Sequence, residues 1–200
     1  MVRHKEKDKQ GIISDTRQKL LTAATQEVAR YGFERANINQ ISASAGYAKG
    51  TIYNYFPTKR ALMLALIDEF TKNHFEFIAD KVIQVNDPIS RLKNFFVAGF
   101  EWIEENLQQG RVMVATLNGP DVEFKEHLYA AYQPMFELVG IEIIGLGISQ
   151  GLFRGMEPGP TAGMVMTIYL GFGSTVDDRG HPNVAPEKIA DLVLHGLIKV

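Results

Sequence analysis

Between Lys49 and Tyr55 the chain gathers an ammonium, a threonine hydroxyl, two phenols and an amide. None of them is a nucleophile with a base beside it, so the chemistry they suit is recognition. Asn54 can pair its amide with adenine N6 and N7, and the Thr51 hydroxyl can serve several bases. Lys49 and Lys59 are compact charges suited to phosphate. Tyr53 and Tyr55 offer hydroxyls to phosphate and ring faces to sugars or thymine methyls; Tyr55, three residues from Ile52, has partial burial as its alternative. Asn37 and Asn39 stand near a helix start, where phosphate binds readily, and Arg17 is a further phosphate candidate. Contacts to phosphate position a protein on a duplex, and contacts to base edges specify sequence. No Arg stands between Lys49 and Phe56, so strong reading of guanine is not expected.

These residues need short elements to hold them. Ile38, Ile41 and Ala45 fall at i, i+3, i+7, one face of a helix. Asn37 can cap that helix, and Gly46 can end it in a left-handed turn. A second helix is expected over 49–56, with Ile52 and Phe56 inward. Pro57 stops it, and Thr58 can cap the next. Two short helices about a glycine turn make a helix-turn-helix unit, whose second helix enters the major groove in DNA-binding versions; a plain helical hairpin has the same spacing. Upstream, a helix over 15–31 is capped by Asp15 with Gln18 at capping-box distance. Leu20, Leu21, Ala24 and Val28 face inward, and Gly32 ends it. With Ile38, Ile41, Ile52 and Phe56 they make a three-helix core.

In this register the residues resemble the DNA-binding domain of TetR-family transcriptional regulators. The resemblance is carried by Thr16, Arg17, Leu20, Leu21, Ala23, Ala24, Gly32, Phe33, Ile41, Ala45, Gly46, the run Lys49 to Tyr53, Tyr55, Phe56, Lys59 and Leu62. Four positions depart from it. Ala48 stands where Ser or Thr usually caps the recognition helix, a loss of about 1 kcal/mol. Arg60 and Ala61 replace acidic residues of the next helix's first turn. Val28 stands where Phe is common.

Charge is distributed accordingly. The net charge is −2, yet residues 1–60 hold 11 Lys/Arg against 5 Asp/Glu. Nucleic-acid affinity needs a local basic surface, not a basic whole. Residues 1–13 alternate Arg3, Lys5, Lys7 and Lys9 with Glu6 and Asp8 and are expected to form a flexible basic arm. Cysteine is absent, which excludes disulfides and Cys-based zinc sites. No apolar run is long enough to span a bilayer, and the polar first ten residues carry no signal-peptide pattern; a cytoplasmic location is expected. The histidines share no metal-ligand spacing. Gly145, Gly147 and Gly151 are not a dinucleotide fingerprint. No metal, cofactor or catalytic residue is expected, and the chain reads as no enzyme.

Beyond residue 60 the pattern stays helical. Long helices are expected over 58–82, 89–106 and 121–150, the last kinked at Pro134. A short helix is expected over 111–117, set off by a break at Gln109 and Gly110, and the chain closes with helices over 161–176 and 186–199. The fold class is all-α with about nine helices: an arm over 1–13, a helix-turn-helix domain over 14–60, and a larger ligand-binding and dimerisation domain over 61–200. Phe96, Phe100, Met113, Phe124, Tyr132, Met135, Phe136, Met166 and Tyr169 could line an apolar pocket, though the same residues serve equally as core. His74, a polar ring between aromatic neighbours, reads as interfacial. The family resemblance implies that the last two helices pair across a two-fold axis, through Met164, Ile168, Phe172, Leu192, Val193, Leu197 and Ile198. The reading is a homodimeric repressor on a palindromic operator of double-stranded DNA, released by a small, largely apolar effector. The alternatives are a DNA-binding regulator without such an effector, an activator, and an all-α enzyme using the apolar pocket.

Overall fold

The computed structural model describes the backbone of residues 2–199 and the side chains of residues 11–199. Secondary structure among them is helical, apart from one isolated antiparallel bridge between Phe153 and Ile198. The chain divides into two compact units between Glu69 and Phe70. This is nine residues later than the division expected at residue 60, because Leu62, Met63, Leu66 and Ile67 are core residues of the first unit.

In the first unit, α1 (Val2–Arg35) is helical from its first described residue. From residue 2 on, the basic arm expected over 1–13 is thus helical in its backbone; residue 1 and the side chains up to residue 10 lie outside the described residues. Gly32 breaks α1 at φ 75°, ψ 162°, as its position after Tyr31 led us to expect. Leu20, Leu21, Ala24 and Val28 are buried. The space beside Val28, bounded by Phe33, Ile41 and Met63, admits no water-sized sphere, so the smaller side chain leaves no wet cavity. Next comes α2 (Ile38–Ser44), then a 3-10 turn (Thr51–Asn54), then α3 (Lys59–Ile83). The Thr58 hydroxyl accepts from the Ala61 N–H at 2.9 Å and caps α3.

In the second unit, α4 (Pro88–Glu105) is capped by Asp87, which accepts from the Ser90 N–H at 2.8 Å. Leu92, Phe95, Phe96, Phe100 and Ile103 point inward. Helix α5 (Leu107–Asn118) runs through Gly110, where a break was expected; a Cβ there would meet Ile103 Cγ2 at 3.1 Å, so the glycine serves close packing. The expected 121–150 helix is divided into α6 (Val122–Ala131), α7 (Gln133–Glu137), a π-helical stretch (Leu138–Gly145) and α8 (Leu146–Ser149). Tyr132 and Pro134 mark a 46° bend between α6 and the rest. Arg91 holds the π stretch: its Nη1 donates to the Glu142 carbonyl and carboxylate at 2.9 and 2.7 Å, and its Nε to the Val85 carbonyl at 2.7 Å. Helix α9 (Pro158–Gly173) starts three residues before the expected 161, since proline fits a first turn. Helix α10 (Pro186–Leu197) ends where Ile198 becomes extended to meet Phe153.

Candidate nucleic-acid interface

The turn of the helix-turn-helix is built by backbone hydrogen bonds. Tyr47 N–H donates to the Ser42 carbonyl at 2.9 Å and Gly46 N–H to the Ala43 carbonyl at 3.0 Å. This is a Schellman closure around Gly46 at φ 83°. The Tyr47 hydroxyl lies 3.2 Å from the Thr16 hydroxyl and ties the turn to α1. Gly50, at φ 93°, then redirects the chain into the recognition segment.

That segment is shorter than the α-helix expected over 49–56. It is a 3-10 turn from Thr51 to Asn54, extended by the Phe56 N–H donating to the Ile52 carbonyl at 2.8 Å. With Ala48 upstream and Gly50 at the start, no side chain caps it, and the tight geometry follows. Ile52 and Phe56 are buried. Lys49, Tyr53 and Asn54 are exposed; Thr51 and Tyr55 are half-buried. The structure therefore brings Lys49, Thr51, Tyr53 and Asn54 to one accessible turn, with no acidic residue between Ile38 and Leu62.

The flanking candidates are partly engaged within the fold. Arg17, half-buried, stacks on the Phe56 ring with its guanidinium carbon 5.4 Å from the centroid. Lys59 Nζ donates to the Glu34 carbonyl at 2.8 Å and lies 4.9 Å from the Phe33 centroid, so it helps close the α1–α2 turn. Asn37 Oδ1 accepts from the N–H groups of Asn39 and Gln40 at 2.9 and 3.4 Å. Those N–H groups are spent on the cap, which leaves side-chain amides for any phosphate. Sequence reasoning missed three features here: the Tyr47–Thr16 tie, the left-handed Gly50, and a polar groove of about 420 Å³ lined by Gln26, Glu27, Arg30, Arg35 and Gln40. The Lys-Gly pair before the turn was the only available signal for any of them.

In the second unit, all nine proposed pocket residues except Phe136 are buried. Several surround His74, which is not interfacial but fully buried. Its Nδ1 lies 2.8 Å from the Tyr132 hydroxyl and its Nε2 2.8 Å from the Tyr169 hydroxyl. Its ring stacks on Trp102 at 4.3 Å. Burial pushes the imidazole down to about pKa 3, offset only in part by the Gly99 carbonyl, so the ring is neutral. Phe96 and Phe100 pack on Tyr169. Gly99 is required, because a Cβ there would collide with the Tyr169 ring. Phe136 instead lines a surface pocket of about 250 Å³ with Leu117, Tyr129 and Leu170. Met135, Met166 and Phe124 are core.

The interface candidates divide. Met164 and Leu192 are 61% and 67% exposed, Ile198 is 37% exposed, and Ile168 and Phe172 are half-buried. Val193 and Leu197 are only 8% and 5% exposed. They belong to the chain's own core, on the α10 face that packs on α4, and cannot also be the surface of an interface. Among the described residues no cluster of His, Cys, Asp or Glu could hold a metal. No single helix there is long and apolar enough to cross a membrane; α6 with the segment after it passes by length and composition only as a bent pair.

An accessible polar turn on a three-helix core has the form of a helix-turn-helix head. Residues 20–66 match the model of the family described as bacterial regulatory proteins, tetR family. The transcriptional repressor KstR2 of Mycobacterium tuberculosis strain H37Rv is 26% identical over 154 residues, covering 72% of each chain. Two solved structures share the fold. The fatty acid degradation regulator FadR from Bacillus halodurans has a TM-score of 0.80 at 20% identity, over 90% of this chain and 95% of that one. FadR from Bacillus subtilis, in complex with stearoyl-CoA, has a TM-score of 0.79 at 18% identity, over 90% and 98%. The first of these relatives is a transcriptional repressor and the other two are regulators.

Proposed function

We propose that the protein is a cytoplasmic, homodimeric repressor that binds a palindromic operator and is released by a small, largely apolar effector in its second unit. The observation that carries the DNA half is the exposed Lys49, Thr51, Tyr53 and Asn54 on a turn free of acidic residues. A dimer would set two such turns in successive major grooves, about 34–36 Å apart, and so prefer a palindrome. Lys49 and Arg17 supply phosphate contacts; Thr51 and Asn54 read base edges; Tyr53 and Tyr55 serve backbone and methyl contacts. Asn37 and Asn39 meet phosphate through their side-chain amides, and Lys59 adds charge beside its structural bond. Exposed Met164 and Leu192, with Ile168, Phe172 and Ile198, supply the dimer surface.

The effector half is supported by the aromatic second unit and its pocket of about 250 Å³. Ligand pockets commonly measure about 300–1,000 Å³, so a large effector must open this core further, and Met113, Met135 and Met166 are the side chains best able to repack. An effector acts only by binding the non-DNA-fitting state better. The stearoyl-CoA complex of Bacillus subtilis FadR makes long-chain acyl-CoA the first effector to try.

The test is a footprint on DNA upstream of the protein's own gene, near 150 mM salt with competitor DNA, repeated with stearoyl-CoA. A protected palindrome that is lost on adding the ligand supports the whole reading. A palindrome insensitive to ligand leaves a regulator without that effector. No selected sequence from a random DNA pool refutes the operator-specific reading.

A further inference from the structure

The second unit buries one polar cluster that DNA binding does not use, and its donors and acceptors are unevenly matched. The Tyr132 hydroxyl donates to the Met113 sulfur at 3.1 Å. The tautomer with its hydrogen on Nδ1 fits this bond, Nδ1–H donating to the Tyr132 oxygen and Nε2 accepting from the Tyr169 hydroxyl; in the other tautomer Nδ1 competes with the sulfur for the Tyr132 hydrogen. In the first tautomer the chain of hydrogen bonds ends on a thioether, a weak acceptor borne by a flexible side chain. Any oxygen in that place would be a better partner.

A route to it lies one helical turn away. The surface pocket of about 250 Å³ is lined by Leu117, one turn beyond Met113 on α5, and by Tyr129 and Phe136, one turn either side of Tyr132. Its remaining lining, which includes Asn118, Thr167 and Ser174, is uncharged. Behind Met113, at Gly173, there is no side chain; even an added Cβ would stand 4.0 Å from Met113 Cε.

We propose that Tyr132 is the polar anchor of the effector: a carbonyl or hydroxyl oxygen on an uncharged, apolar body enters from this pocket, displaces the Met113 sulfur and accepts the Tyr132 hydrogen bond. The part of the ligand that enters is neutral, because neither the pocket nor the neutral His74 offers a counter-charge to a carboxylate; the charged coenzyme of an acyl-CoA stays outside. The anchor joins α3, through His74, to the corner between α6 and α7 and, through Tyr169, to α9. This proposal rests on the ligand-responsive reading above.

Acetophenone and its near-isostere ethylbenzene test it, with benzoate as the charged control. Binding to the full chain is followed by the indole N–H resonance of Trp102, the only tryptophan and the ring stacked on His74. In Tyr132→Phe, acetophenone binding falls about tenfold while ethylbenzene changes less than about threefold, the signature of one lost hydrogen bond. In Met113→Leu, acetophenone tightens relative to ethylbenzene, because the ketone no longer competes with the thioether for the Tyr132 hydrogen. Opposite changes from two touching residues cannot come from general loosening of the core. Benzoate binds weakest to all forms. An unchanged acetophenone-to-ethylbenzene ratio in both variants overturns the proposal, and so does the absence of saturable binding by acetophenone to the wild-type protein. Operator release assayed alongside separates the two readings. Release that is indifferent to Tyr132→Phe keeps the effector and removes the anchor; Tyr132-dependent binding without release keeps the anchor and removes the effector.

Discussion

The Arg17 guanidinium lies over the Phe56 ring, 5.4 Å from its centroid, so a residue of α1 covers the end of the recognition segment. The stack fixes where that charge sits relative to Tyr55 and Phe56. Arg17→Ala should cost about 0.5–1 kcal/mol of stability and should weaken binding to operator and random DNA alike. It should also flatten the salt dependence by about one unit of slope. Urea melts and DNA titrations between 50 and 200 mM salt would check both. An effect confined to one operator sequence would show Arg17 reading bases instead.

Gly50 is the hinge into the recognition segment, at φ 93°. Space is not the constraint, since an added Cβ would meet nothing within 4 Å. The constraint is the backbone, where a left-handed L-residue costs about 1–2 kcal/mol. Gly50→Ala should lower stability by that amount and reduce DNA affinity more than Gly155→Ala, a loop glycine with negative φ and equally open surroundings. Equal effects of the two substitutions on DNA binding would remove the hinge role.

Asn54 and Lys49 are both exposed but carry different chemistry. Asn54→Ala should cost about 1–3 kcal/mol on the best operator and relax preference at one base position. Lys49→Ala should weaken every sequence alike and reduce the salt slope by about one. Selection from randomised duplexes with each variant measures the split. Matching losses on all sequences would mean that Asn54 touches only backbone.

How far these roles were readable from sequence depends on whether a residue sets its own conformation. Gly46, Pro57 and Thr58 do so through local backbone chemistry, and the turn, stop and cap follow from their order. Gly50 was less legible, because the tight segment after it also depends on Ala48 failing to cap. His74 was not legible at all: its partners stand 58 and 95 residues away, and no local pattern encodes such pairing. Val193 and Leu197 exposed another limit. An apolar stripe on a helix is the same whether it meets its own chain or a partner, and only the packing against α4 decides.

His74 gives a pH dependence of definite sign. Its folded-state pKa of about 3 lies below the ordinary 6.5 because burial penalises the charged ring. Above pH 6.5 the ring is neutral in both states, and the stability is fully present. As pH falls below 6.5 the unfolded chain takes up a proton that the folded chain refuses until about pH 3. Stability should therefore fall by up to about 1.4 kcal/mol per pH unit in that window from this group alone. Urea unfolding at pH 7, 6 and 5 should show a shallower slope in His74→Phe than in the wild type, although the variant is less stable at pH 7. Parallel slopes would mean that the ring is hydrated in solution.

The two faces of α10 make opposite predictions from neighbouring residues. Leu192 is 67% exposed and Val193 8% exposed, although both are aliphatic and adjacent. If α9 and α10 form the dimer surface, Leu192→Glu should split the dimer without lowering monomer stability, since it removes little packing within the chain. Pairing it with Met164→Glu should add to the effect. Leu197→Ala should act differently, costing about 2–5 kcal/mol as a buried cavity while leaving association intact in the folded fraction. Sedimentation velocity and urea melts on the three variants distinguish these outcomes. A dimer that survives both glutamates would place the two-fold contact elsewhere. Loss of DNA binding in Leu192→Glu, with the recognition turn untouched, would show that operator affinity depends on holding two such turns together.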